Sequence, residues 1–152
     1  MQIQVPSDLG SDLKILPEGM ADATISDLFL GTSAAGQPKL TVKYLISSQM
    51  NTKGQTYIDD EGDEQPFPKD FNTVGEVVLE TFSLQPQALF NLNSLWKGVT
   101  GNNLPQGDYS PDEFISLLKE ELKGRDFKLS LEHGRTNRGV IQTQVKKRTF
   151  VG

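Results

Sequence analysis

A chain of 152 residues with 36% hydrophobic and 8% aromatic content is long enough for one domain with a real core. It holds no cysteine and one histidine, His133, which excludes disulfides, thiolate catalysis, zinc–sulfur sites and two-histidine metal sites. A net charge of −5 and a pI near 4.9 argue against a protein that is basic all over. No apolar run approaches the roughly 18 residues of a membrane span. The N-terminal MQIQVPSDLGSDLKIL has neither a basic region nor a long apolar core, so it is not read as a secretory signal. A cytoplasmic protein is expected, with no membrane contact.

Residues 1–16 scatter a few apolar side chains among Pro, Ser, Asp and Gly and read as a loosely packed arm. The domain proper is expected over 17–152. A first strand runs from Met20 to Leu30, with Ala21, Ala23, Ile25 and Phe29 on one face. The turn GTSAAGQP leads to the cleanest strand, where Leu40, Val42, Tyr44 and Ile46 alternate with Lys39, Thr41 and Lys43. Residues 48–74 break the rhythm as a polar insertion. Its flanks, Thr56-Tyr57-Ile58 and Pro66-Phe67, suit a small hairpin with Asp59, Asp60, Glu61, Asp63 and Glu64 at its tip. Carboxylates around a glycine turn suit Ca²⁺, but the alternate spacing and distal glutamate of an EF-hand loop are missing. The run is read as a solvated tip, with no cofactor or metal expected.

From Gly75 to Leu84 the alternation returns, with Val77, Leu79 and Thr81 on one face and Glu76, Val78, Glu80 and Phe82 on the other. The helical connection spans 85–123. Leu89, Leu92, Leu95/Trp96 and Val99 recur at three and four behind Pro86, Gly101 stops the helix, and Trp96 shares the core stripe. In SPDEFISLLKEELKG, Ser110 and Glu113 form a capping box around Pro111, and Phe114, Leu117, Leu118 and Leu122 make the buried stripe. Gly124 is expected to end it.

The closing stretch, Lys123 to Phe150, carries all four arginines: Arg125, Arg135, Arg138 and Arg148. Its eight basic residues face two acidic ones, a net of +6 in a chain of −5. Such asymmetry points to a polyanion held at one place, since counterion release depends on the phosphates contacted and not on total charge. The pattern is two strands around HGRTNRG. Phe127, Leu129 and Leu131 alternate on the first, and Ile141 and Val145 oppose Gln142, Gln144 and Lys146 on the second.

Phosphate-binding GxxxxGK[ST] and GxGxxG loops are absent, as is GxSxG, and one histidine without cysteine leaves little for a nucleophile–base pair. The strand carboxylates Glu76, Glu80 and Glu132 are expected to face outward. A non-enzymatic protein is the reading.

The order strand, strand, acidic insertion, strand, helix pair, strand, strand predicts a mainly β fold with two helices: an OB-like five-stranded Greek-key barrel. The segments EGMADATISDLFLG, GQPKLTVKYLI, QALFNLNSLWK, LKGRDFKLSLEHG and RGVIQTQVKKRTF, within residues 17–150, resemble phage-encoded single-stranded-DNA-binding proteins of the OB-fold class. The resemblance implies sequence-tolerant binding of single-stranded DNA, or RNA, in phage replication, recombination or repair, with proteins of those processes as partners. Many members carry an acidic recruiting tail. This sequence ends KKRTFVG, and the tip at 59–64 is a candidate replacement.

The expected groove takes Lys39 and Lys43 from the second strand, Lys128 from the fourth, and Gln142, Gln144, Lys146 and Arg148 from the fifth. Arg135 and Arg138 clamp it from the hairpin loop. Tyr57, Phe67, Phe82 and Phe150 are the aromatic candidates, with Tyr57 and Phe82 as base-stacking residues. The competing reading is a structural or protein-interaction module, such as a virion component or host-enzyme inhibitor, that uses the acidic insertion as its contact surface.

Overall fold

The computed structural model describes residues 13–136 and 139–152. Strand β1 spans Gly19–Thr32 and β2 spans Pro38–Ile46. The short β3 (Thr56–Ile58) and β4 (Glu64–Pro66) pair with each other inside the polar insertion, as its flanking residues predict. Strand β5 (Val77–Ser83) is followed by a 3₁₀ turn over Pro86–Ala88 and helix α1 (Leu89–Thr100). Helix α2 (Pro111–Leu122), β6 (Asp126–Arg135) and β7 (Ile141–Phe150) complete the chain.

Five strands form one antiparallel sheet in the order β5-β2-β1-β6-β7. The first half of β1 pairs with β6 and the second half with β2, so one long strand serves both halves. The expected hydrogen-bonded barrel is not what forms. β5 and β7 are the two edges of the sheet, with no ladder joining them. Side chains cross the seam instead, where Arg148 Nη1 of β7 donates to Glu80 Oε2 of β5 at 2.8 Å. Above that seam, Arg148 Nη2 donates to the Asn91 carbonyl of α1 at 3.4 Å.

The concave face and the helices share one core, in which Ile25, Leu28, Leu40, Val42, Tyr44, Leu92, Leu118, Leu122 and Leu129 are essentially inaccessible. Trp96 belongs to it, as the helical stripe predicts. Helix α2 starts as read: Ser110 Oγ accepts the Glu113 N–H, and Glu113 Oε1 accepts the Ser110 N–H. Its end is stopped by Gly124 at φ 86°, a left-handed position that favours glycine. The Gly124 N–H then donates to the Ile25 carbonyl at 2.8 Å and ties the helix to β1. The expected arm lies mostly outside the described residues. Its last residue, Leu16, is fully buried: its N–H donates to Thr143 Oγ1 and its carbonyl accepts His133 Nε2–H. Among the described residues no helix is long and apolar enough to cross a membrane.

Two face assignments differ from simple alternation, and a third follows it against what polarity suggests. In β1 the register shifts between Ile25 and Asp27, so Leu28 is buried and Phe29, opposite Thr41, faces outward. In β7 the register shifts opposite Ser130 and Leu131, leaving Lys146 as the extra residue. Val145 lies opposite buried Leu131, yet Arg148 lies opposite buried Leu129, so both face inward. A bulge of one residue is enough to reverse every side chain beyond it. In β5 the apolar residues do not define the core side by count. Val78 and Phe82 are buried, and Glu80 between them points inward with them.

Burial fixes α2 more strongly than its cap does. Leu118→Ala should cost about 2–5 kcal/mol, from lost transfer energy and a cavity. Ser110→Ala should cost about 1 kcal/mol. Urea denaturation followed by circular dichroism checks the order; an Leu118→Ala loss no larger than that of Ser110→Ala would contradict it.

Candidate nucleic-acid interface

Directly opposed residues of an antiparallel pair share a face, and the register therefore sorts the expected site. Lys39 and Lys43 flank Thr41 on the outward side of β2, as read. Lys39 lies opposite Gly31, and a side chain at Gly31 would meet its Cε at 3.8 Å, so the lysine stem runs across that glycine. Thr81 of β5 lies opposite Thr41. Phe29, half-buried and apart from the core cluster, completes this row across three strands.

Lys119 of α2 and Lys123, just past its end, join the same region. Asp27, opposite Lys43, forms ion pairs with Lys119 Nζ at 3.4 Å and Lys123 Nζ at 3.9 Å. Burial pushes the Asp27 carboxyl up, but the Leu28 N–H and the two lysines outweigh it and hold it below its ordinary range. The outward side of β1–β2–β5 thus carries an aromatic ring among Lys39, Lys43, Lys119 and Lys123, with Asp27 as the anchoring carboxylate. Phe29, Lys119 and Lys123 are absent from the sequence-derived site. The signal that finds Phe29 is the change of hydrophobic phase along β1, from Ala21, Ala23 and Ile25 to Leu28 and Leu30.

The remaining candidates gather elsewhere. Lys128, Gln142 and Gln144 are on the outward side of β6 and β7, and Lys146 bulges out beside them. A Cβ at Gly134 would strike the Gln144 amide, so this glycine makes room for the glutamine across the strand. Lys128 sits 3.7 Å from Asp22 and Lys146 sits 3.9 Å from Glu132, with all four side chains more than two-fifths exposed. Such pairs contribute roughly 0–1 kcal/mol. A phosphate can replace either carboxylate at little cost, so the lysines stay available. Arg135 is exposed and donates through Nη1 to the Gly139 carbonyl, which closes the β6–β7 turn. Arg138 lies outside the described residues.

Two expected binding residues, Phe82 and Arg148, are already engaged within the protein. Phe82 is 4% exposed and carries the Arg148 guanidinium over its ring at 5.1 Å, so no base can stack on it. Arg148 itself is committed to Glu80, and the Tyr44 hydroxyl donates to the other Glu80 oxygen at 2.8 Å. Burial raises the Glu80 carboxyl above its ordinary value, although Arg148 and the Tyr44 bond act in the opposite direction. The same burial, with the Glu80 charge, pushes the Tyr44 hydroxyl well up. Glu80 is thus an inward structural carboxylate, contrary to the outward position that its polarity suggests. Tyr57 leans on Phe67 at 4.9 Å, in a cluster with Phe71 and His133 that holds the hairpin to the sheet. Phe67 is buried, and Phe150 packs on Phe127 at 5.6 Å.

At the hairpin tip, Asp59 Oδ1 accepts the N–H groups of Glu61 and Asp63. The Asp63 and neighbouring backbone bonds hold the Asp59 carboxyl below its ordinary range. Asp59 therefore shapes the turn. Among the described residues no group of three or more acidic or histidine side chains is gathered in a metal-binding arrangement.

Compared with known proteins, the chain matches no family model and has no significant match among curated protein sequences.

The seam is testable by charge removal. Arg148→Leu should destabilise by about 3 kcal/mol, because it strands a mostly buried carboxylate, whereas Glu80→Leu combined with Arg148→Leu should recover most of that loss. Glu80 also sets a pH dependence. Its folded carboxyl holds the proton more tightly than the unfolded one, so its contribution is full below the ordinary value of 4.5. That contribution is lost as pH rises through the raised value. Glu80→Gln should flatten this decline in denaturation midpoints; an unchanged profile would place the titration elsewhere.

Proposed function

We propose that the protein is a sequence-tolerant single-stranded DNA-binding protein of OB-like topology, serving phage DNA replication, recombination or repair. The strand order supports the topology. Counting only the large sheet, it runs third, second, first, fourth, fifth, with a helical connection between the third and fourth strands and the seam between third and fifth. OB folds use the outward face of their second and third strands for oligonucleotides. In this chain those strands are β2 and β5.

The observation that carries the reading is the half-buried ring of Phe29 on the outward face beside Lys39 and Lys43. A flat ring next to cations is what an unstacked base and its phosphates need, and such stacking tolerates every base because each has a π-face. Lys119 and Lys123 extend the cationic rim. Lys128, Lys146, Gln142 and Gln144 form a second outward patch that a longer strand reaches. Single-stranded RNA offers the same chemistry and is the first competitor to compare.

Fluorescence-anisotropy titrations with single-stranded and duplex oligonucleotides test this. Contact with three or four phosphates predicts a slope of log K against log salt of roughly −2 to −3, from about −0.7 per phosphate on single strands. Duplex should bind more weakly, since its bases are already stacked. Phe29→Ala should lower single-strand affinity by roughly 5- to 160-fold, the range for loss of one stacking contact. A flat salt response with equal duplex affinity would favour a protein-interaction role through the acidic hairpin.

A further inference from the structure

A groove of about 210 Å³ opens between α1 and the end of β7, away from the Phe29 face. Ser94, Leu95 and Gly98 of α1 line it together with Phe127 of β6 and Lys146, Lys147, Arg148 and Phe150 of β7. We propose that this groove takes one unstacked nucleotide of the bound strand, with its base against Phe150 and its phosphate on Lys146 and Lys147. The proposal rests on the single-strand-binding function and adds a second subsite to it.

Four observations carry it. First, no carboxylate lines the groove, so its side chains favour an anion. Second, the β7 bulge sets two consecutive lysines exposed on one rim. Among the described residues Lys147 has no carboxylate partner, and the Lys146 pair with Glu132 is exposed and 3.9 Å long. Third, the volume is below the 300–1,000 Å³ typical of drug-sized ligand pockets, and it suits a single planar ring system. Fourth, Gly98 lies inside a helix, where glycine is unfavourable relative to alanine. A Cβ at Gly98 would meet nothing within 4 Å, so packing does not demand the glycine. The open space along α1 is what its missing side chain leaves. Arg148 lines the same groove but is held by Glu80.

The test compares thymidine oligonucleotides of 12 residues on four proteins: the parent, Gly98→Leu, Lys147→Ser and Phe29→Ala, each checked for fold by circular dichroism. Gly98→Leu fills the groove from a helical position with room for it, and should lower affinity about tenfold with the salt slope nearly unchanged. Lys147→Ser is an exposed change that should reduce the slope by roughly 0.7, one phosphate's share on a single strand. If Gly98→Leu unfolds, Lys147→Ser alone decides. Parent-like affinity and slope in the folded groove variants, with Phe29→Ala weakened, would overturn the subsite and leave the binding function standing. A parent protein that fails to bind would remove both.

Discussion

The bond between Arg148 and Glu80 is the constraint on which the sheet depends. A five-stranded antiparallel sheet with free edges at β5 and β7 has no ladder to hold its curl. What joins those edges is one charged pair at 2.8 Å, with side chains only 20% and 13% exposed, and the Tyr44 hydroxyl fills the second carboxylate oxygen. Desolvating two charges is expensive, and the pair is tolerable because each partner has further contacts: Tyr44 for the acid, and Phe82 and the Asn91 carbonyl for the base. Its contribution is therefore more to geometry than to net stability. It fixes β5 against β7 and seats α1 over the seam, which in turn shapes the groove beside Gly98.

Much of this fold is legible in the sequence because its signals are local. The alternation in β2, the capping box of α2, the Pro86 entry and Gly101 exit around α1, and the hairpin inside the insertion all form as their residues predict. What misleads is the assumption of unbroken alternation. The bulges at Ser26 and Lys146 each shift phase by one residue, moving Phe29 out of the core side and Arg148 into it. Traces of both shifts exist in the sequence, as Ile25 followed by Leu28 and as Val145 followed by Phe150. Glu80 was harder to place. Its inward position depends on a cation from a strand 68 residues away, and no local pattern carries that information.

The concentration of arginine near the C-terminal end of the sequence likewise has a structural meaning apart from binding. Arg148 holds the seam, Arg125 donates to the Glu121 carbonyl at the end of α2, and Arg135 closes the β6–β7 turn. The fork geometry that suits phosphate also suits carboxylate and carbonyl oxygens, so a cluster in sequence does not translate directly into a cluster of free cations. The lysines differ. Their exposed pairs with Asp22 and Glu132 are long and weak, and these point charges can exchange one anion for another. The outward cationic surface is thus made mainly by lysine.

In the proposed function a single strand crosses the outward side of β1, β2 and β5 around Phe29. The most direct measurement is a titration of ¹⁵N-labelled protein with a short thymidine oligonucleotide, followed amide by amide. The account predicts the largest shifts in Leu28–Leu30, Lys39–Leu45 and Leu79–Ser83, with small changes at the acidic tip around Asp59–Asp63. Shifts confined to the hairpin, or a spectrum unchanged at saturating oligonucleotide, would contradict it.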